Sequence, residues 1–243
     1  GYKAGYTLTT GTNNILIGGN AGDAITTGSE NVALGRASLS SDTLGNSSVA
    51  IGHQALFTQN FTSTTSSHNV AVGKNAGLSV TTGVQNTLIG SLAGDTITTA
   101  SANTAVGYAS LSANTTGASN VSVGVGALSA NTTASNNTAV GTSSLTANTT
   151  GTSNTALGFA SLSANTTANN NIALGYNALG SNTTANNNIA LGIYALDNNI
   201  TGSENLAIGS NALTNNTASN NIALGYAALL ANTTGANNVA VGS

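Results

Sequence analysis

One period governs this chain. The stretch NTAVGYASLSANTTGAS, residues 103–119, is followed by NVSVGVGALSANTTASN, and close variants of that phrase recur along all 243 residues. A period of this length is the signature of a solenoid, in which each repeat is too small to bury a core alone and must stack on its neighbours. The glycine closing the phrase NxAxG serves as an anchor, and it falls at Gly18, Gly35, Gly52, Gly73, Gly90, Gly107, Gly124, Gly141, Gly158, Gly175, Gly192, Gly209, Gly225 and Gly242. Gly1 extends the series. The spacing is 17 except for one interval of 21 (Gly52 to Gly73) and one of 16 (Gly209 to Gly225).

Residue type follows position within the repeat. The residue before the anchor is always Val, Ile or Leu, as in Ile51, Val106 and Leu174, and reads as a core position. Two residues earlier stands Val, Ile, Leu or Thr, with a small residue, mostly Ala, between them. This alternation over β-branched residues predicts a short strand. Because the strand is apolar or small on both faces, one face can fill the coil interior and the other calls for a partner.

A second strand is expected after the anchor. Leu usually stands four residues past it (Leu39, Leu111, Leu128), and Asn or Asp three residues further on (Asp42, Asn114, Asn131). Where Gly replaces that Leu (Gly5, Gly22, Gly77, Gly94), the later site turns apolar (Leu8, Ile25, Val80, Ile97), so the two sites fill one volume. Glycine and asparagine at this density disfavour helix and suit corners with positive φ. The predicted fold is all-β: a β-solenoid of about fourteen 17-residue coils, packed side by side as a parallel homotrimer. Residues 1–243 form one uncapped repeat region, an excerpt of a longer fibre protein, and residues 57–68 form a loop insertion at the long interval.

Composition narrows function more than it assigns it. Three Lys or Arg and six Asp or Glu make 4% charged residues. So sparse a charge predicts no basic patch for nucleic acid. No apolar run approaches the roughly 20 residues of a membrane helix. Without Cys there is no thiol chemistry. His53 and His68 flank the insertion but lack the companions a metal site needs. The carboxylates Asp23, Glu30, Asp42, Asp95, Asp197 and Glu204 fall in different coils or corners, which argues against a paired general acid and base. No catalytic, cofactor or metal residue is predicted, and no enzyme.

The phrases NTAVGYASLSANTTGASN and NIALGYNALGSNTTANNN resemble repeats of bacteriophage tail fibres and large bacterial surface proteins. SVAIG, residues 48–52, is similar to the head repeats of trimeric autotransporter adhesins, which form β-rolls. The resemblance implies a trimeric fibre on a cell surface or virion, extracellular, which extends and positions a binding element and has no enzyme activity. A self-assembling extracellular filament, glycosylated or not, is the alternative; an ice-binding solenoid is a minor one, because adjacent threonines of NTT point to opposite faces.

Candidate surface-binding residues follow from the variable position after the anchor, Tyr108, Phe159, Tyr176 and Tyr226, and from the insertion, Phe57 and Phe61. They suit a carbohydrate or a cell-surface receptor. NTT also matches the glycosylation acceptor pattern at Asn114, Asn131, Asn148, Asn165, Asn182 and Asn232. The competing reading places these asparagines in ladders of stacked amides, one per coil.

Overall fold

A computed structural model describes residues 1–243. It contains no helix, and its strands are short and parallel. The chain divides into an N-terminal unit, Gly1–Asn120, and a C-terminal unit, Val121–Ser243, each a stack of coils. The N-terminal unit holds β1 (Ile15–Ile17), β2 (Val32–Leu34), β3 (Gly45–Asn46), β4 (Val49–Ile51), β5 (Thr65–Ser66), β6 (Val70–Val72), β7 (Thr87–Ile89) and β8 (Thr104–Val106). The C-terminal unit holds β9 (Val121–Val123), β10 (Thr138–Val140), β11 (Thr155–Leu157), β12 (Ile172–Leu174), β13 (Ile189–Leu191), β14 (Leu206–Ile208), β15 (Ile222–Leu224) and β16 (Val239–Val241). Successive three-residue strands pair in strict register, Ile172 on Ile189 and Ala173 on Ala190, for instance.

The coil from Gly158 to Gly175 explains the rest. After Gly158 (φ 135°) the backbone enters the left-handed region at Ala160 (φ 53°) and again at Leu162 (φ 49°). A pleat cannot continue through two such residues, so the expected second strand is absent and a run of turns takes its place. Leucine in this conformation carries strain on the order of 1 kcal/mol, and burial of its side chain offsets it. Leu162 has no exposed surface, nor do its equivalents Leu111, Leu128, Leu145, Leu179, Leu196 and Leu213.

Which strand face is interior is also corrected. The central alanine, Ala173 in this coil, is fully buried, while Leu157 before the preceding anchor is 47% exposed and Ile172 is 38% exposed. The space beneath the strand is already filled by the left-handed leucine and by asparagines, leaving room for a methyl group. The larger aliphatic side chains flanking the alanine therefore face outward.

Much of the interior is amide. Asn165 Nδ2 donates to Asn148 Oδ1 (2.8 Å) and to the Ala168 carbonyl (3.2 Å), and Asn182 continues the column by donating to Asn165 Oδ1 at 3.1 Å. A second column runs through the asparagine four residues before the anchors, with Ser48 in its place before Gly52. The Asn171 amide N–H donates to Asn154 Oδ1 (3.0 Å), and its Nδ2 donates to the Ala185 carbonyl (2.9 Å). These side chains satisfy corner carbonyls that turn inward and would otherwise be buried without donors.

The anchor must be glycine for a reason beyond φ. A Cβ on Gly158 would lie 2.6 Å from the carbonyl oxygen of Gly175 in the next coil. The volume exchange inferred from sequence is present and involves a third position. A Cβ on Gly94 would meet Ile97 Cδ1 at 2.7 Å and Leu88 Cδ2 at 2.8 Å. Leu88, replacing the strand alanine, thus helps to fill the space a leucine at residue 94 would occupy; Leu16 does the same beside Gly22.

Both irregular intervals are absorbed at one corner. In the 16-residue coil, Asn216 Nδ2 reaches the Ala218 carbonyl two residues on, against three in the coil before (Asn199 to Gly202). Strand register is kept, Leu206 on Ile222. The 21-residue coil keeps Val49 on Val70 and adds the two-residue pair β3 and β5.

Candidate functional site

Two outward features are built by the coil: the aliphatic face of the strands and the column of residues that follows the anchors. The face carries two side chains per strand, and in the C-terminal unit these include Leu157, Ile172, Ile189, Ile208 and Ile222, all exposed. Eight strands at about 4.8 Å and three residues at about 3.3 Å give that unit a patch of roughly 34 by 10 Å. Thr138 and Thr155 interrupt the aliphatic run, and a patch of a few hundred Å² is a frequent place for function on a protein surface.

The column is held by the backbone. The residue two past each anchor donates its N–H to the carbonyl of the residue one past the preceding anchor: Asn177 to Phe159 (3.1 Å) and Tyr194 to Tyr176 (3.0 Å). Side chains at the first position therefore project in register, one coil apart. Phe159 and Tyr176 stack with ring centroids 5.4 Å apart and planes 11° apart, and Tyr194 meets Tyr176 edge-on at 5.3 Å. The neighbouring Tyr176 phenol pushes that of Tyr194 above its ordinary pKa. Of the residues singled out from sequence, Tyr108, Phe159, Tyr176 and Tyr226 are exposed here. Stacking covers one face of Phe159, and Tyr176 has a neighbouring ring on each side, so the cluster offers mainly ring edges.

Phe57 is half-buried, and Phe61 is only 5% exposed, wedged inside the insertion instead of displayed on it. Beside Phe61 lies a buried polar knot. Gln59, at the amide-ladder position, donates through Nε2 to Asp42 Oδ2 (2.7 Å) and to Ser48 Oγ (2.8 Å), and Asn69 Nδ2 donates to Gln59 Oε1 (2.9 Å). Burial pushes the Asp42 carboxyl above the usual range, against the N–H donors of Gln59 and Gly45 that favour its charged form.

The NTT asparagines lie inside. Asn114, Asn131, Asn148, Asn165 and Asn182 are fully buried, and Asn232 is partly so. Each of the six nitrogens donates to the carbonyl three residues on, as from Asn114 to Gly117 (2.8 Å). A glycan on any of the five fully buried side chains is incompatible with the folded coil. The next residue is half-buried with its hydroxyl turned along the stack, Thr166 Oγ1 donating to the Thr183 carbonyl at 3.2 Å, while Thr167 is exposed.

The sequence missed a charged cluster. In three successive coils of the N-terminal unit, the residue after the anchor is Arg36, His53 and Lys74. Arg36 and Lys74 are exposed, His53 is half-buried, and Arg36 Nη1 lies 3.4 Å from His53 Nε2. Intervals of 17 and 21 hid the relation; aligning the repeats on their anchors exposes it. Comparison with protein-family models, curated proteins and solved structures returns no match.

Proposed function

We propose that this chain is a non-catalytic shaft or head segment of an extracellular fibre, on a cell surface or virion, in which parallel copies pack side by side and hold a binding element at a distance. The aliphatic outer face of the strands carries this reading. Side chains such as Leu157 at 47% and Ile208 at 42% exposure lie in register, and burying such a face against another copy removes it from water at about 25 cal/mol per Å². A threefold arrangement lets every copy cover and be covered. Durability outside a cell fits the composition, since Lys3, Arg36 and Lys74 are the only Lys and Arg residues open to trypsin-like cleavage.

Sedimentation equilibrium tests the packing. The expected mass is about three times the 23.5 kDa of one chain; a stable monomer overturns it, and particles of indefinite length favour the self-assembling filament instead. Ile172→Lys combined with Ile189→Lys places charges on the outer face and is expected to give monomers whose circular dichroism is unchanged.

A further inference from the structure

We propose that Arg36, His53 and Lys74 form a binding site for an oligoanion whose charged groups repeat at about the coil spacing, the chemistry of a linear acidic saccharide. The chain has three Lys or Arg and two His in 243 residues, and three of these five stand at the same position of successive coils. Their spacing is fixed by backbone bonds: the N–H groups of Gln54, Asn75 and Leu92 donate to the carbonyls of Arg36 (3.0 Å), His53 (2.9 Å) and Lys74 (3.0 Å). Two coil steps separate Arg36 from Lys74, about 10 Å.

The Arg36 and Lys74 charges are thus held close enough for one oligoanion to meet both. Neither Arg36 nor Lys74 is ion-paired: Glu30 accepts from Ser47 Oγ at 3.2 Å, and Asp42 is buried against Gln59. The Arg36 guanidinium donates one N–H to His53 Nε2 at 3.4 Å, which steadies it, and keeps further N–H groups to grip a carboxylate or sulfate, while Lys74 supplies a point charge. A single small anion spans one adjacent pair, whereas an oligoanion engages all three. Nucleic acid suits the site less well, because its affinity depends on neutralising many phosphates.

Calorimetric titration of the full chain at low salt tests this, using an oligouronate tetramer, tripolyphosphate and an uncharged tetrasaccharide. The expected result is binding of the oligouronate, none of the uncharged sugar, and weakening by about fivefold in Arg36→Gln and in Lys74→Gln, with Lys3→Gln unchanged. Tripolyphosphate binding with the same variant pattern upholds the anion site but assigns it to phosphate chemistry. No binding, equal binding to all variants, or an equal loss in Lys3→Gln overturns the proposal. These outcomes are independent of the chain's oligomeric state, so failure of the fibre reading leaves the site intact.

Discussion

The two units use one backbone and fill it differently. In the C-terminal unit every coil repeats the same solution: a small strand centre, a left-handed leucine and a column of asparagines from Asn131 to Asn232. In the N-terminal unit Leu16 and Leu88 replace the strand alanine, Gly22 and Gly94 replace the leucine, Ile25 and Ile97 replace the asparagine, and Asp42 with Gln59 breaks the amide column. The backbone path survives both. What the coil specifies is a volume and a set of inward carbonyls, and more than one combination of side chains satisfies it.

The largest expected effect ignores the contrast. Gly52→Ala and Gly158→Ala each drive a Cβ into the next coil's carbonyl, at 2.4 and 2.6 Å, on a backbone with φ above 130°. Each should cost about 4 kcal/mol or more, read as loss of the cooperative thermal transition; a near-neutral alanine in either unit would show that the anchors do not touch.

Next comes the filling itself. Leu162→Gly leaves a cavity worth roughly 3 kcal/mol. Adding Asn165→Val and Ala173→Leu copies the combination of Gly77, Val80 and Leu88 and should recover most of it in a denaturant titration. Additive losses from the three changes would end the idea of interchangeable fillings. Gly94→Leu is expected to fail without a matching change, because Ile97 and Leu88 occupy its space.

A smaller effect is expected from the amide column. Asn165→Ala strands the amide groups it served on Asn148, Asn182 and the Ala168 carbonyl, a cost of about 2 kcal/mol. Amide exchange at Thr166 and Thr183 would report whether the loss stays within adjacent coils.

The smallest concerns pH. Burial pushes the carboxyls of Asp42 and Asp95 in one unit, and Asp197 in the other, above their usual value; Asp95 Oδ1 is also buried without a hydrogen-bond partner. Groups whose pKa is higher folded than unfolded stabilise the fold when protonated and lose that contribution as pH rises through the folded value. The thermal midpoint should therefore rise, by a few degrees at most, as pH falls from 7 towards about 4. Asp42→Asn with Asp95→Asn should flatten that profile more than Asp197→Asn does. A midpoint that drops steadily with acid would contradict the assignment.

Much of this was legible in the sequence. Period, anchors and strand follow from the register of glycine and aliphatic residues, and the exchange of Gly94 and Ile97 for leucine and asparagine was visible as paired substitutions. The strand's orientation was not, because Thr104, Ala105 and Val106 are small or apolar on both sides and only the buried Leu111 decides which face has room. Nor was the missing second strand, since leucine is an unusual choice for a left-handed backbone and gives no local warning. The outer aromatics were found from their variability. Phe61 was misplaced because a loop can fold its own aromatic inward, whereas the amide column through Asn165 was legible once residues seventeen apart are aligned. The Arg36, His53 and Lys74 cluster required the same alignment across the irregular interval.

The corner after the inward asparagine is where the chain lost one residue at Thr217 and gained four before β5, with pairing kept on both occasions. That tolerance sets what lengths of repeat the stack accepts. A whole coil added or removed in either unit changes the length of its stack by one step of about 4.8 Å. Reading-frame-preserving slips of one or a few codons are absorbed at this same corner. Stacks of different coil number are thus compatible with one coil design.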